Sequence, residues 1–185
     1  MFQLLDIAKI FLNQAKIKTD GILADFTMGN GYDTLYLCSL VPNGTVYAFD
    51  IQKQALINTR ARLDEADVTA KVVLIHDSHS NAKKYIDGEI DAGMFNLGYR
   101  PGGDKSIHTM HKSTLLAVKD AVNMLKKGGI LVISVYPGHK EGRIEGEKLL
   151  EMLSEYDKKL YGVSRFHLVN SPDAPFVIAV ERYDK

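Results

Sequence analysis

The sequence predicts an α/β fold: a seven-stranded, mostly parallel sheet with helices on both faces and an antiparallel hairpin at its C-terminal end. Three observations carry this. Five short β-rich runs are separated by helix-length stretches, the signature of successive β-α-β units. The first run, Ile22-Leu-Ala, is apolar at consecutive positions, which suits a strand covered on both faces. The last two runs follow one another with no helix between them, so they pair as neighbours. With 45% apolar and 25% charged residues among 185, the chain fits one globular domain over residues 1–185 with a full core.

The elements follow in order. Residues 1–17 set Leu4, Leu5, Ala8, Phe11, Leu12 and Ala15 at three-and-four spacing, one apolar helical face to lay on the sheet. Asp20-Gly21 turns the chain into the first strand, 22–26. A helix over 32–40 stops at Pro42-Asn43-Gly44. The second strand, 45–49, leads to a helix over 52–65 with Ala55, Leu56, Thr59 and Leu63 inward. The third, 71–75, ends in His76-Asp77-Ser78-His79 and a short helix. The fourth, 90–95, opens into a long irregular segment with a Pro101-Gly102-Gly103 turn; long loops at this edge of a sheet are usually functional. A helix over 109–127 is expected to stop at Gly128-Gly129, before the fifth strand, 130–135. Tyr136-Pro137-Gly138-His139 precedes a helix over 142–156, and the last strands are 163–169 and 176–181.

The chain is organised around residues 22–34. An apolar strand ends in Asp25, Gly29 and Gly31 form a tight turn, and a helix starts at Tyr32. Glycines there remove the Cβ atoms that would hold a ligand off the main chain, and the helix N–H groups face the opened space. A dinucleotide fingerprint would place Gly or Ala where Thr34 stands. An acid in the approach suits a cationic ligand, such as the amino group of S-adenosyl-L-methionine, better than a pyrophosphate. Asp50 ends the second strand about 20 positions past Gly31, the spacing at which a carboxylate meets ribose hydroxyls; it can equally cap the helix near Gln52. Asp77 can accept from an exocyclic amine such as adenine N6, with Ser78 or His79 bordering the ring, or can cap the short helix. His76 and His79 lack a recognised metal-ligand spacing, so no metal is expected.

Composition narrows the classes further. No apolar run approaches 18 residues and the N-terminus lacks signal-peptide character, so a cytoplasmic protein with no membrane contact is expected. Cys38, among Leu35, Leu37 and Leu40, reads as a buried apolar thiol, and a single cysteine excludes disulfides and structural zinc. Zero net charge argues against nonspecific coating of nucleic acid. A local basic patch stays open, with Lys9, Lys16, Lys18, Arg100, Lys105, Lys140 and Arg143 as candidates.

The stretches Asp25-Phe-Thr-Met-Gly-Asn-Gly31, Asp50-Ile-Gln52, His76-Asp77-Ser78-His79 and Asn96-Leu-Gly-Tyr-Arg-Pro-Gly-Gly-Asp-Lys-Ser106 together resemble one known family. These are the MnmM-type tRNA methyltransferases, small Rossmann-like class I enzymes formerly labelled rRNA methylases. The resemblance spans essentially the whole chain, and the 96–106 stretch is its most specific part. It implies methyl transfer from S-adenosyl-L-methionine to the primary amine of 5-aminomethyl-2-thiouridine at the tRNA wobble position. An rRNA or a small-molecule amine is the alternative acceptor, and a nucleotide-binding regulator the non-enzyme alternative. On this resemblance Asp25, Thr27, Gly29, Asn30, Gly31 and Asp33 face the cofactor from the first loop. Asp50, Gln52, Asp77, Ser78, His79 and Asn96 face it from the later strand ends. Gly98, Tyr99, Arg100, Lys105 and Tyr136 face the substrate, the tRNA anticodon stem-loop. A homodimer is compatible with the sequence.

The chemistry asks for a particular site. An alkylamine has a pKa of about 10.4, and only its neutral form attacks, so the site must desolvate it and accept its protons. The Asn96 side-chain carbonyl, with the backbone carbonyls of Leu97 and Gly98, can hold amine hydrogens and aim the lone pair. Tyr99 either stacks on the base or is buried in the sheet edge. His139 either takes a proton or is an exposed bystander. Attack on a sulfonium needs alignment more than a base, so among the catalytic candidates Asn96, Tyr99 and His139, loss of Asn96 should cost more than loss of His139.

Overall fold

A computed structural model describes residues 4–68, 70–98, 102 and 108–184. Seven strands form one sheet in the order β3-β2-β1-β4-β5-β7-β6: β1 Ile22–Asp25, β2 Thr45–Asp50, β3 Lys71–His76, β4 Ile90–Asn96, β5 Leu125–Val135, β6 Tyr161–Phe166 and β7 Phe176–Arg182. The first five are parallel, and β7 runs antiparallel to both β5 and β6. β1 pairs with β2 on one side and β4 on the other, so the winding reverses at β1, and a crevice opens past the carboxyl ends of these strands.

Helices cover both faces, each with its own core. On one face α1 (Leu4–Gln14), α2 (Tyr32–Leu40) and α3 (Lys53–Glu65) bring Ala8, Leu12, Leu37 and Leu63 against Leu23, Val46, Met94 and Val132. Cys38 is buried there, and its apolar surroundings push the thiol up to about 11. On the other face α4 (His111–Met124), α5 (Lys140–Ser154) and the 3-10 helix His79–Lys84 seat Ala117, Ala121, Leu149 and Ala82 in one core with Phe95, Leu131 and Ile133. Gly93 lets β4 pass close: a Cβ there would stand 2.8 Å from both Leu131 Cδ1 and Phe26 Cε2. Among the described residues no helix is long and apolar enough to cross a membrane.

The main departure from the sequence reading is at Gly128-Gly129. α4 ends at Met124, and the chain is already a strand at fully buried Leu125, which pairs with Ile90. The register then shifts between Ile90 and Ala92, and Gly128 takes φ 77, so the glycines bulge β5 and do not stop α4. Asp91 anchors the same corner, accepting from Ile22 N–H and from Lys126 Nζ at 2.7 Å. β6 ends at Phe166 because its ladder runs out there: Phe166 faces Val177, one residue from the start of β7.

Candidate active site

The carboxyl ends of β1, β2, β4 and β5 border a cavity of about 700 Å³. Its floor is aromatic: Phe26 and Phe49 line it with their rings parallel at 5.9 Å, and Phe26 stacks in turn on the core residue Phe95 at 4.3 Å and 6°. One wall is the turn after β1. Gly31 has φ 81, and a Cβ on it would come 2.8 Å from Thr59 Cα, so this position needs glycine for conformation and for space. No side chain caps α2, whose first N–H groups are left for a ligand.

Of the expected cofactor-side residues, Thr27, Gly29, Asn30, Asp33, Asp50, Gln52, Asp77, Ser78, His79 and Asn96 line the cavity. Asp25 and Gly31 do not. Asp25 is buried behind the turn, accepting from Thr27 N–H at 3.1 Å and from the Thr34 hydroxyl at 2.6 Å. Burial first and the Asp33 charge second push its carboxyl up to about 7. The acid that reaches the cavity is Asp33, in the first turn of α2, itself raised by burial. Asn96 Nδ2 donates to Asp33 Oδ2 at 3.1 Å, and Asn96 N–H donates to the Thr27 hydroxyl at 2.7 Å. Turn, helix and fourth strand are thereby locked together at the switch point.

Asp50 serves two backbone donors, accepting from Gly29 N–H at 3.1 Å and from Gln52 N–H at 2.8 Å. Asp50 thus braces the glycine turn from the cavity wall, and it does not cap α3, whose cap position is Gln52 with no side-chain bond. Asp77 accepts from Ser78 N–H, Asn81 Nδ2 and Tyr85 Oη, and the Asn81 bond is the leading reason its carboxyl sits below the usual range. Ser78, not Asp77, caps the 3-10 helix.

Of the histidines that line the cavity, His79 and His139 have defined tautomers. His79 Nδ1 stands 3.1 Å from the Phe26 carbonyl, which only accepts, so Nδ1 carries the proton and Nε2 is an acceptor. That Nε2 is buried with no partner among the described residues, and burial pulls the imidazole down to about 4, so it is neutral at pH 7. A buried orphan acceptor at the rim of an aromatic-floored pocket fits the exocyclic amine of an adenosyl group. His139 is the reverse case. It caps α5, its Nδ1 accepting from Gly142 N–H at 3.1 Å, so in the neutral ring Nε2 holds the proton. The sequence left this ring either taking a proton or standing by exposed; in the structure it is half-buried, and the cap occupies the lone pair of the neutral ring and leaves it a donor.

On the substrate side, Tyr136 lines the cavity half-buried, its phenol raised by burial and then by the Asp33 charge. Gly98 has φ 118 and is clasped to Thr109: Gly98 N–H donates to the Thr109 hydroxyl at 2.9 Å, and Thr109 N–H returns a 2.9 Å bond to the Gly98 carbonyl. The Thr109 hydroxyl donates in turn to Glu145, a carboxylate 1% exposed that also takes the Thr114 hydroxyl. Tyr99, Arg100 and Lys105 lie outside the described residues. Thr109, Glu145 and the Thr34–Asp25 pair were not anticipated, because each acts through a partner well separated from it in the sequence. Among the described residues no group of three His, Cys, Asp or Glu side chains is arranged to hold a metal.

A seven-stranded sheet with this order, carrying its cavity at the β1/β4 switch point, defines a methyltransferase that uses S-adenosyl-L-methionine. Residues 46–181 match the family described as "Putative rRNA methylase", and the chain belongs to that family. It is 36% identical over 184 residues to the chloroplastic tRNA (mnm(5)s(2)U34)-methyltransferase of Arabidopsis thaliana, covering 94% of this chain and 67% of that protein. The crystal structure of a "putative rRNA-methylase" from Clostridium thermocellum superposes with a TM-score of 0.93 at 38% identity, over 98% of each chain. A "putative methyltransferase" from Streptococcus mutans, solved in complex with SAH, gives 0.88 at 37% identity, over 98% of this chain and 99% of that one.

Proposed function

We propose that this protein methylates the primary amine of 5-aminomethyl-2-thiouridine at the tRNA wobble position. The observation that carries the reading is the Asp33–Asn96 bond. A carboxylate oxygen only accepts, so the bond points Asn96 Nδ2 at Asp33 and leaves Oδ1 as the acceptor for a ligand N–H. An amide oxygen fixed at the end of β4 is what an amine nucleophile needs: it holds one amine hydrogen and directs the lone pair away from itself. S-adenosyl-L-methionine supplies the methyl group as an electrophile on a sulfonium.

In this reading Asp50 takes the ribose hydroxyls, His79 Nε2 and Asp77 meet the adenine amine, and the open N–H groups of α2 with Asp33 face the amino-acid end. Asn30, Gln52 and Ser78 complete the wall. The amine loses its proton on leaving water for the cavity, where Asp33, raised by burial, is an acceptor within reach of Asn96. Tyr136 closes the substrate side, and Tyr99, Arg100 and Lys105 contact the anticodon loop. The plant relative's name and its 36% identity support the choice of acceptor.

The test incubates the protein with S-adenosyl-L-methionine and tRNA bearing the aminomethyl wobble base, and follows digested nucleosides by mass spectrometry. One added methyl on that nucleoside is the expected product. Its absence, with label entering rRNA instead, transfers the assignment to the acceptor named in the family's description.

A further inference from the structure

Tyr32 opens α2 and lines the cavity, yet its side chain is 64% exposed. The Arg62 guanidinium covers one face of the ring, its carbon 3.5 Å from the centroid. Arg62 Nε donates to the Asn30 carbonyl at 2.8 Å, and Asn58 Nδ2 donates to Asn30 Oδ1 at 2.9 Å, steadying the residue that holds the guanidinium. Its two terminal nitrogens have no hydrogen-bond partner among the described residues.

We propose that Tyr32 and Arg62 form a lip that receives the nucleotide next to the target base, the open ring face carrying its base and the free guanidinium nitrogens its phosphate. The inference rests on the RNA substrate proposed above. The chemistry favours RNA over a small amine: a small acceptor would be swallowed by the cavity and would not need a flat aromatic on the rim. Bases of unpaired RNA stack readily on such rings, and a guanidinium held by a bond through Nε presents its remaining N–H groups in a fork that matches phosphate. Because the geometry is set before binding, little side-chain freedom is lost on contact. The position suits the task, since Tyr32 is followed in α2 by Asp33, which holds Asn96.

The probe is a fluorescently labelled tRNA anticodon stem-loop, titrated by anisotropy over a series of salt concentrations, with SAH affinity measured in parallel by calorimetry. Tyr32→Ala and Arg62→Ala should each weaken RNA binding about tenfold, and Tyr32→Phe should keep the affinity because the stacking face remains. Arg62→Ala should also lower the slope of log K against log salt by about one, the loss of one phosphate contact. SAH affinity should stay within about twofold in all of them. RNA affinity and slope unchanged in both alanine variants overturn the lip. A parallel fall in SAH affinity also overturns it, making Arg62 a brace of the Asn30 turn. Wild-type protein that binds no stem-loop overturns it as well. The nucleoside assay judges the substrate reading separately: variants that bind like wild type while wild type still methylates tRNA sink the lip alone, and wild type that binds through the lip without methylating sinks the substrate alone.

Discussion

Asp33 Oδ2 lies 3.1 Å from Asn96 Nδ2, joining the first turn of α2 to the last residue of β4 across the point where the sheet reverses its winding. Asp33 is 7% exposed and Asn96 is half-buried, so the bond is shielded from water and sets the amide plane. The acid at the cofactor loop and the amide at the substrate side thus act as one unit.

Replacing Asn96 by Ala should lower kcat about 100-fold, because it removes the group that aims the amine. Asp33→Asn keeps the shape but lets the Asn96 amide turn over, and should cost about tenfold in kcat. The double variant should be no slower than Asn96→Ala, since both act through one bond. Steady-state kinetics with tRNA at saturating S-adenosyl-L-methionine checks this; independent, additive losses would mean that the Asp33–Asn96 bond does not set the amide and that Asp33 contributes only through its other contacts.

Asp25 yields a pH signature. Its carboxyl is raised from 3.8 to about 7 in the folded protein, so folding favours the protonated form. The stability it contributes is full below pH 3.8, falls as pH rises, and is gone above about 7. Asp25→Asn imitates the protonated acid, the Thr34 hydroxyl turning to accept from the new amide. Urea unfolding should therefore show the variant gaining on wild type between pH 4 and 7, by roughly 1–3 kcal/mol, with a constant difference above. A difference that does not vary with pH would show that Asp25 is ionised throughout.

Much of this architecture is legible in the chain because its signals are local. Apolar runs, turn glycines and the acids at strand ends each declare themselves within a few residues, and the β-α-β alternation makes the sheet mostly parallel, whereas the strand order is read from the structure. What escaped is pairwise and distant. Thr34 reads as a failed dinucleotide fingerprint until Asp25 is seen to need its hydroxyl. The clasp of Gly98, Thr109 and Glu145 joins three elements, and no spacing in the sequence announces it. Gly128-Gly129 has the look of a helix stop, yet Leu125 is claimed by Ile90 on the neighbouring strand, and pairing outweighs helix propensity there. His139 is a reactive residue type that the start of α5 uses as a cap.

His79 should discriminate adenine from hypoxanthine. Its orphan Nε2 accepts and stays neutral, since burial holds the ring at about 4. S-inosylhomocysteine replaces the adenine amine with a carbonyl, which sets two acceptors face to face. Wild type should bind it at least tenfold more weakly than SAH, and His79→Phe should bind both with similar, reduced affinity. Competition calorimetry reads the two constants; a discrimination that survives in His79→Phe would assign the amine to Asp77 alone.

The cap made by His139 separates a structural role from a chemical one. Asn can accept from Gly142 N–H as the imidazole does, whereas Ala cannot, so His139→Ala should lose about 1 kcal/mol of stability and His139→Asn only a fraction of it. If the ring were the base for the amine, both variants would lose kcat alike, because neither side chain takes a proton. With Nδ1 committed to the cap, the proton must go elsewhere, and a loss of about 1 kcal/mol leaves the protein folded, so both variants should keep kcat close to wild type and far above Asn96→Ala. Thermal melts and initial rates on the same preparations test this, and a large, equal loss of kcat in the Asn and Ala variants would return His139 to the role of base.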